Sequence, residues 1–192
     1  IYGARAANGV VLITTKRGKT GQTQMTFNGY AGVQQFNSTI PMMNSQQMAA
    51  YSIDADQAAG QDPAPAFSDP NVLARNTDWQ DEAFNAAPIQ NYSLTVSGGN
   101  ENSKYAVVGG YFNQQGILPN TGFKRYSARI NTDFDVGKRF KIGESLSLSR
   151  GSWSNGFNPA SDFLQELLQS SPTLPVYDED NLGGYAGPTP DV

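Results

Sequence analysis

A strict two-residue alternation over residues 123–136 limits the possible folds most. Successive side chains of a β-strand point to opposite faces. One face of this segment carries Tyr126, Ala128, Ile130, Thr132, Phe134 and Val136, and the other carries Arg125, Ser127, Arg129, Asn131, Asp133 and Asp135. An Arg facing lipid near the middle of a bilayer costs about 2–4 kcal/mol. The charged row must therefore face water, a polar lumen or a plug, and a soluble β-sandwich that exposes it to solvent also satisfies the pattern.

Four more segments are predicted as strands, at about residues 22–36, 88–98, 103–114 and 139–150. The connections alternate between long (37–87), short (98–103), intermediate (115–122), short (136–138) and long (after 150). Outer-membrane barrels have this asymmetry, with short periplasmic turns and longer extracellular loops. Tyrosines that bracket smaller residues, such as Tyr105 and Tyr111, are typical of the interfacial aromatic girdles of such barrels. The patterns therefore favour a large antiparallel transmembrane β-barrel.

One residue of the last strand does not fit its face. Glu144 falls in phase with apolar residues such as Leu146, and the neighbouring Gly143 indicates a β-bulge. A bulge would also move Leu146 to the polar face, so the sequence leaves Glu144 without a physical account.

The long connections are expected to hold short helices. Asn44 and Gln47 form a capping-box pattern that predicts a helix over 44–59, and Asp78 is a predicted cap for a short helix after it. Three prolines make residues 60–76 an expected irregular loop. Ser161 is the predicted cap of an amphipathic helix over 161–170.

Composition excludes several kinds of chemistry. The chain has no Cys and no His, which removes thiolate nucleophiles, the usual zinc ligands and histidine acid/base catalysis. A net charge of −4 offers no basic patch for nucleic acid, and no apolar run approaches the roughly 20 residues of a membrane helix. We therefore predict neither an enzyme nor a cofactor. The chain opens on Ile1 without a Met or a signal peptide, so we expect an internal fragment.

Several specific sequence segments support the interpretation as part of an outer-membrane barrel. The start of the chain reads Ala4-Arg5-Ala6-Ala7-Asn8-Gly9-Val10-Val11-Leu12-Ile13-Thr14-Thr15-Lys16, and later segments read Thr77-Asp78-Trp79, Gly110-Tyr111-Phe112-Asn113 and Asn120-Thr121-Gly122-Phe123-Lys124-Arg125-Tyr126. These segments resemble the SusC/RagA family of TonB-dependent outer-membrane receptors. The resemblance implies that residues 1–20 end a plug domain and that residues 21–192 begin the barrel, with outer loops at 37–87 and 151–192. It also implies location in the bacterial outer membrane in contact with lipid, import of oligosaccharides or peptides, a SusD-like surface lipoprotein as partner, and coupling to the TonB complex through a region before Ile1.

The candidate site residues belong to three groups. Five aromatic residues in predicted outer loops can stack on sugars or pack against a partner, with ordinary loop packing as the alternative: Trp79, Trp153, Phe157, Tyr177 and Tyr185. The row of Arg125, Arg129, Asn131, Asp133 and Asp135 is expected to face the lumen or the plug, where cross-strand pairing is favoured over glycosidase chemistry by the two carboxylates. Asp178 and Asp180 are the one calcium candidate, although their spacing fits no EF-hand and favours a solvated loop. The function predicted from the resemblance is nutrient transport, and the alternative is a soluble secreted β-sandwich that binds glycans.

Overall fold

The computed structural model describes residues 9, 11, 15, 17–137, 139–156, 160–181 and 183–186. The expected end of the plug domain, residues 1–20, falls mostly outside these residues. The chain divides into two compact units. The sheet unit comprises residues 1–32, 89–114 and 123–152, and the loop unit comprises residues 33–88, 115–122 and 153–192.

The sheet has five strands, which are β1 (Gly21–Gln34), β2 (Ala87–Gly99), β3 (Ser103–Gln115), β4 (Gly122–Val136) and β5 (Phe140–Ser154). Each strand pairs with its neighbours in sequence, in the order β1-β2-β3-β4-β5. The β2–β3 pair is antiparallel, with Tyr92 opposite Tyr111 and Leu94 opposite Gly109. The prediction of a mainly antiparallel β-protein is therefore confirmed.

The apolar face of the sheet carries a row of aromatic rings. Phe27 lies 6.2 Å from Tyr92, Tyr92 lies 6.3 Å from Tyr111, and Tyr111 lies 5.1 Å from Tyr126, measured between ring centroids. These contacts join β1 to β4 across the sheet. Offset aromatic pairs add about 0.5–1.5 kcal/mol beyond their buried area, so the row fixes the strand register as well as covering the sheet.

Glu144 lies on this apolar face without a bulge. Three side-chain contacts join β4 to β5 at even spacing, namely Asp135–Lys141 (3.5 Å), Asn131–Ser145 (2.7 Å) and Arg129–Ser147 (3.4 Å). From one contact to the next, the number of residues is the same on β4 as on β5. No extra residue is therefore inserted beside Gly143. The interpretation of Gly143 as a bulge is wrong, and Glu144 takes its place between Ile142 and Leu146.

β5 is longer than its alternation indicates. It continues past the expected end at Arg150 to Ser154, so Trp153 lies in a strand and not in a loop. The Gly151-Ser152 pair resembles a turn in sequence. In the structure these residues continue the pairing with the first residues of β4, because Gly151 approaches the carbonyl oxygen of Lys124.

The helices of the loop unit begin largely at their predicted caps. α1 (Ser45–Ala59) has the Asn44–Gln47 capping box, with Gln47 N donating to Asn44 Oδ1 at 2.8 Å and Asn44 N donating to Gln47 Oε1 at 3.1 Å. α1 ends at Gly60, whose φ of 72° is a conformation that glycine adopts without strain. Asp78 caps α3 (Trp79–Ala83) by accepting from the backbone of Gln80 and Asp81.

Two other expectations for this unit are wrong. Residues 60–76 hold a 3₁₀ turn (Pro65–Ser68) and α2 (Pro70–Leu73), because proline is accommodated in the first turn of a helix, where its missing N–H is not needed. α4 (Ala160–Gln169) begins before Ser161, so Ser161 is not its cap. None of the helices in the described ranges is long and apolar enough to cross a membrane.

Candidate functional site

The second face of the sheet, which we call the polar face, consists of the predicted row on β4 together with Lys141, Gly143, Ser145 and Ser147 of β5. A segment that precedes β1 lies on it. Arg17 forms an ion pair and hydrogen bond with Asp133. Asn131 is only 1% exposed and donates from Nδ2 to Thr15 Oγ1 at 3.5 Å. The structure therefore places part of the polar face under the chain that enters β1.

Gly18 is the point of closest approach between this segment and the sheet. It is buried against the backbone of Tyr105, and a Cβ added to Gly18 would lie 2.7 Å from the Tyr105 carbonyl carbon. Only a residue without a side chain fits at that distance. The sequence gives no sign of this packing role, because the partner of Gly18, Tyr105, lies far away in the chain.

The charged residues of the polar face are paired within the sheet unit. Asp135 contacts Lys141 at 3.5 Å, Arg129 donates to Ser147 at 3.4 Å, and the Arg125 guanidinium lies 5.8 Å from the centre of the Phe112 ring. Asp133 is held by Arg17. Both carboxylates are thus ion-pair partners. The Asp135–Lys141 pair joins two strands, which is the cross-strand pairing that the sequence favoured over glycosidase chemistry, whereas Asp133 pairs with a residue that precedes β1.

In the loop unit, Trp79 joins two distant parts of the chain. Its Nε1 donates to the carbonyl oxygen of Ser171 at 2.8 Å, and Thr77 donates from its backbone to Pro172 O at 2.9 Å and from Oγ1 to Leu174 O at 2.6 Å. Trp79 is half-buried, and its polar atom is engaged in a hydrogen bond within the loop unit. The aromatic residue that the sequence offered as a contact site is here a structural tie.

Gln80 makes a second tie that sequence reasoning missed. Its side-chain amide is 5% exposed and accepts from Ile40 N at 2.9 Å while donating to Ile40 O at 2.7 Å. The amide thereby pairs with the backbone of Ile40 as a neighbouring strand would. A single Gln in a charged helical turn has no sequence signal for this, because its partner lies far away in the chain.

A cavity of about 400 Å³ lies beside these ties in the loop unit. Its walls include Met43, Met48, Trp79, Leu167 and Pro172. Asp78 also lines it and is the one charged residue among its described walls, so this is a mixed apolar and polar cleft formed with α1, α3 and α4.

Tyr177 and Tyr185 are brought together on a small hairpin. They form an isolated antiparallel bridge, their ring centroids lie 5.4 Å apart, and their exposed fractions are 65% and 66%. Between them, Asp178 Oδ1 accepts from Asp180 N at 3.0 Å and so closes a turn. In the part of the chain that the structure describes, no group of three or more acidic side chains gathers in a way that could hold a metal ion.

The other two aromatic candidates are not brought to this hairpin by any described contact. Trp153 lies near the end of β5 and is 71% exposed. Phe157 lies outside the described residues.

The chain was compared with known proteins. No family model matches it. It is 33% identical over 187 residues to TonB-dependent receptor P3 of Formosa agariphila, covering 94% of this chain and 18% of the relative. It is 31% identical over 199 residues to TonB-dependent receptor SusC of Bacteroides thetaiotaomicron, covering 96% of this chain and 18% of that receptor. The solved structure of the RagAB peptide transporter superposes with a TM-score of 0.68 at 28% identity, covering 80% of this chain and 20% of the transporter chain.

The chain belongs to the SusC/RagA family of TonB-dependent receptors. It spans about 18% of the length of the relatives it matches. Family membership confirms the predicted outer-membrane location. It also confirms that the protein is not an enzyme, since the relatives are receptors and transporters.

Proposed function

We propose that this chain supplies the end of the plug (residues 1–20) and the first strands of the barrel (residues 21–192) of a TonB-dependent importer. The observation that carries the proposal is the two-sided sheet, whose polar face contacts Thr15, Arg17 and Gly18. A segment leaving a plug has to run along the inner wall before it enters the first strand. In this proposal the polar face is that inner wall, and the row from Arg125 to Asp135 faces the lumen and plug.

The apolar face supports a membrane position through its composition and through the oblique angle between its apolar band and the strands. The contacts between strands put Met25, Val96, Val107, Ile130 and Leu146 in one row across the sheet. Met25 begins the apolar stretch of β1 at the short-turn end, whereas Leu146 lies near the opposite end of the apolar stretch of β5. The apolar band therefore crosses the strands obliquely, as required when strands are tilted about 35–45° in a membrane.

The cargo is proposed to be an oligosaccharide or a peptide. One solved relative is described as a peptide transporter. In our proposal the exposed rings of Tyr177 and Tyr185 contact cargo or partner, because their backbone bridge holds the two rings beside each other, with centroids 5.4 Å apart. Trp153 and Phe157 are proposed to contribute to the same outer surface, and the role proposed for Trp79 is to hold the preceding chain through Ser171.

A SusD-like surface lipoprotein is the proposed partner on the extracellular side, and the TonB complex is the proposed partner on the periplasmic side. The long connections all leave one end of the strands, while the turns at residues 100–102 and 137–139 are short. This separation gives a lipoprotein one end to cover and leaves the other end free for energy coupling.

The alternative of a soluble β-sandwich is less consistent with the fold. A sandwich buries two sheets face to face at about 10 Å. The described residues form one sheet of five strands, and its apolar side chains, including Phe27 (66% exposed) and Leu148 (58%), are uncovered. A single sheet with an open apolar face is what a lipid-facing barrel wall requires.

The test is uptake by cells that carry the full-length receptor. We expect import of labelled oligosaccharides or of labelled peptides, lost when the receptor gene or TonB is deleted and restored by the receptor gene. Affinity purification of the receptor in detergent is expected to recover a surface lipoprotein. Import that continues without TonB, or purification of the native protein as a soluble species without detergent, would refute the proposal.

A further inference from the structure

The apolar face contains a shallow groove, which we call the outer groove. Its volume is about 600 Å³, and its apolar lining includes Leu94, Gly109, Tyr111, Tyr126, Ala128 and Leu148. The floor is low because Gly109 has no side chain, and a Cβ added there would meet nothing within 4 Å. The groove is thus a channel between larger side chains on neighbouring strands.

Two cations lie on the apolar face near the end of the outer groove that is nearer the long loops. Arg150 lines the groove. Ser149 donates to the carbonyl oxygen of Tyr126, which places Arg150 beside Tyr126 on the apolar face. Lys124 shares this face by alternation, because its neighbours Phe123 and Arg125 both contact Phe112 on the polar face.

Lys124 and Arg150 are close enough to act on one anion. They are diagonal neighbours on adjacent strands, a relation that puts backbones about 7 Å apart and long side chains within reach of each other. Both side chains are exposed, and in the described ranges neither lies within ion-pair distance of a carboxylate. The one acidic side chain on the apolar face of these strands is Glu144, several residue pairs nearer the short turns. The cations are therefore available to a ligand.

We propose that the outer groove binds a phosphate-bearing membrane lipid, with an acyl chain over Gly109 and Ala128 and the phosphate between Lys124 and Arg150. An apolar channel that ends in two cations matches the two halves of such a lipid in polarity and in order. Tyr111 and Tyr126 line the groove in the same row as Arg150, and amphipathic rings are favoured at such a boundary between apolar and charged surroundings. This inference rests on the proposed membrane position of the sheet and is independent of the cargo.

The test is lipid binding to the purified full-length receptor in detergent, followed by native mass spectrometry. The probes are lipid A carrying its phosphate and the same lipid A after enzymatic dephosphorylation. The variant is Lys124→Gln with Arg150→Gln. The matched control is Arg75→Gln with Lys104→Gln, which removes the same charge from the loop unit and from the polar side of β3.

We expect the paired variant to bind the phosphorylated lipid about 30-fold more weakly. Each cation near an anionic headgroup strengthens binding about fivefold, and the variant removes both cations. The control pair should bind as the unmodified receptor does. The dephosphorylated lipid should bind weakly to every protein. Equal binding by the paired variant and the control, or equal binding of the two lipids, would overturn the proposal.

A second variant tests the acyl-chain half. Gly109→Leu places a side chain in open space, so it should fold normally while filling the channel, and we expect it to reduce binding of the phosphorylated lipid by at least tenfold. Undiminished binding would refute the position given for the chain. Loss of a co-purifying protein in place of lipid would show a protein occupant and also refute the proposal. Uptake by the three variants should be retained, so failure of the lipid site and failure of the transport proposal give separate signals.

Discussion

Replacing Gly18 with Ala is the sharpest test of the contact between the entering segment and the sheet. The new methyl carbon would lie 2.7 Å from the carbonyl carbon of Tyr105, and the atoms around it are backbone atoms. Because these atoms belong to the backbone, turning a side chain cannot relieve contacts under 3.0 Å. Either the segment that contains Gly18 or strand β3 therefore has to move. Overpacking of this kind costs about 1–3 kcal/mol, and we expect the upper part of that range.

The matched control is Gly109→Ala, in the same strand as Tyr105 but on the open face. Its methyl group meets nothing within 4 Å, so its effect on stability should be within about 0.5 kcal/mol. The assay is the urea midpoint of the full-length receptor in detergent, together with limited proteolysis near residue 18. We expect a lower midpoint and faster cleavage for Gly18→Ala alone. Equal behaviour of the two variants would mean that Gly18 does not pack against the backbone of Tyr105.

Three further substitutions test other parts of the structure. Gln80→Ala should destabilise the loop unit by about 1–3 kcal/mol, since it leaves the backbone N–H and C=O of Ile40 without their buried partner; an unchanged thermal midpoint would contradict this. Glu144→Leu should stabilise the receptor in lipid by about 1–2 kcal/mol because it removes a charge from the apolar face, and a lower unfolding midpoint in vesicles would show that Glu144 has a partner there. A double-mutant cycle on Arg17 and Asp133 should give a coupling of about 0.5–1 kcal/mol, small because the side chains are 52% and 34% exposed, and a zero coupling in low salt would place the pair apart.

Particular residues show how far sequence reasoning reached in the sheet. The alternation of β4 predicted a strand with Asn131 and Asp133 on the polar face, but not that Asn131 is covered while Asp133 stays partly open. That difference depends on where Thr15 and Arg17 cross the sheet. Such a long-range crossing produces no repeating pattern of residues from which it could be predicted. Glu144 was anomalous in the sequence and became interpretable once the contacts of Ser145 and Ser147 fixed the β4–β5 register.

The loop unit shows the opposite balance. The caps at Asn44 and Asp78 are local, made by side chains that reach the next few backbone amides, so they were predictable. The ties made by Trp79 and Gln80 join residues far apart in the chain, and the sequence offered Trp79 as a contact residue for that reason. The identity of a Trp residue does not by itself indicate whether its side chain is exposed or buried.

By itself, the sequence determined the strand periodicity, the two chemically different faces and the helix caps. Its specific segments also indicated the family. These depend on side-chain spacing and on hydrogen bonds between near neighbours, which the order of residues sets directly. The tertiary structure alone decided that Gly18 abuts Tyr105, that Trp79 holds Ser171, and that Arg150 lines a groove floored by Gly109 on the face that also carries Lys124. Each of these depends on the register between strands or the path of a loop, and many different contacts at long range are compatible with one local pattern.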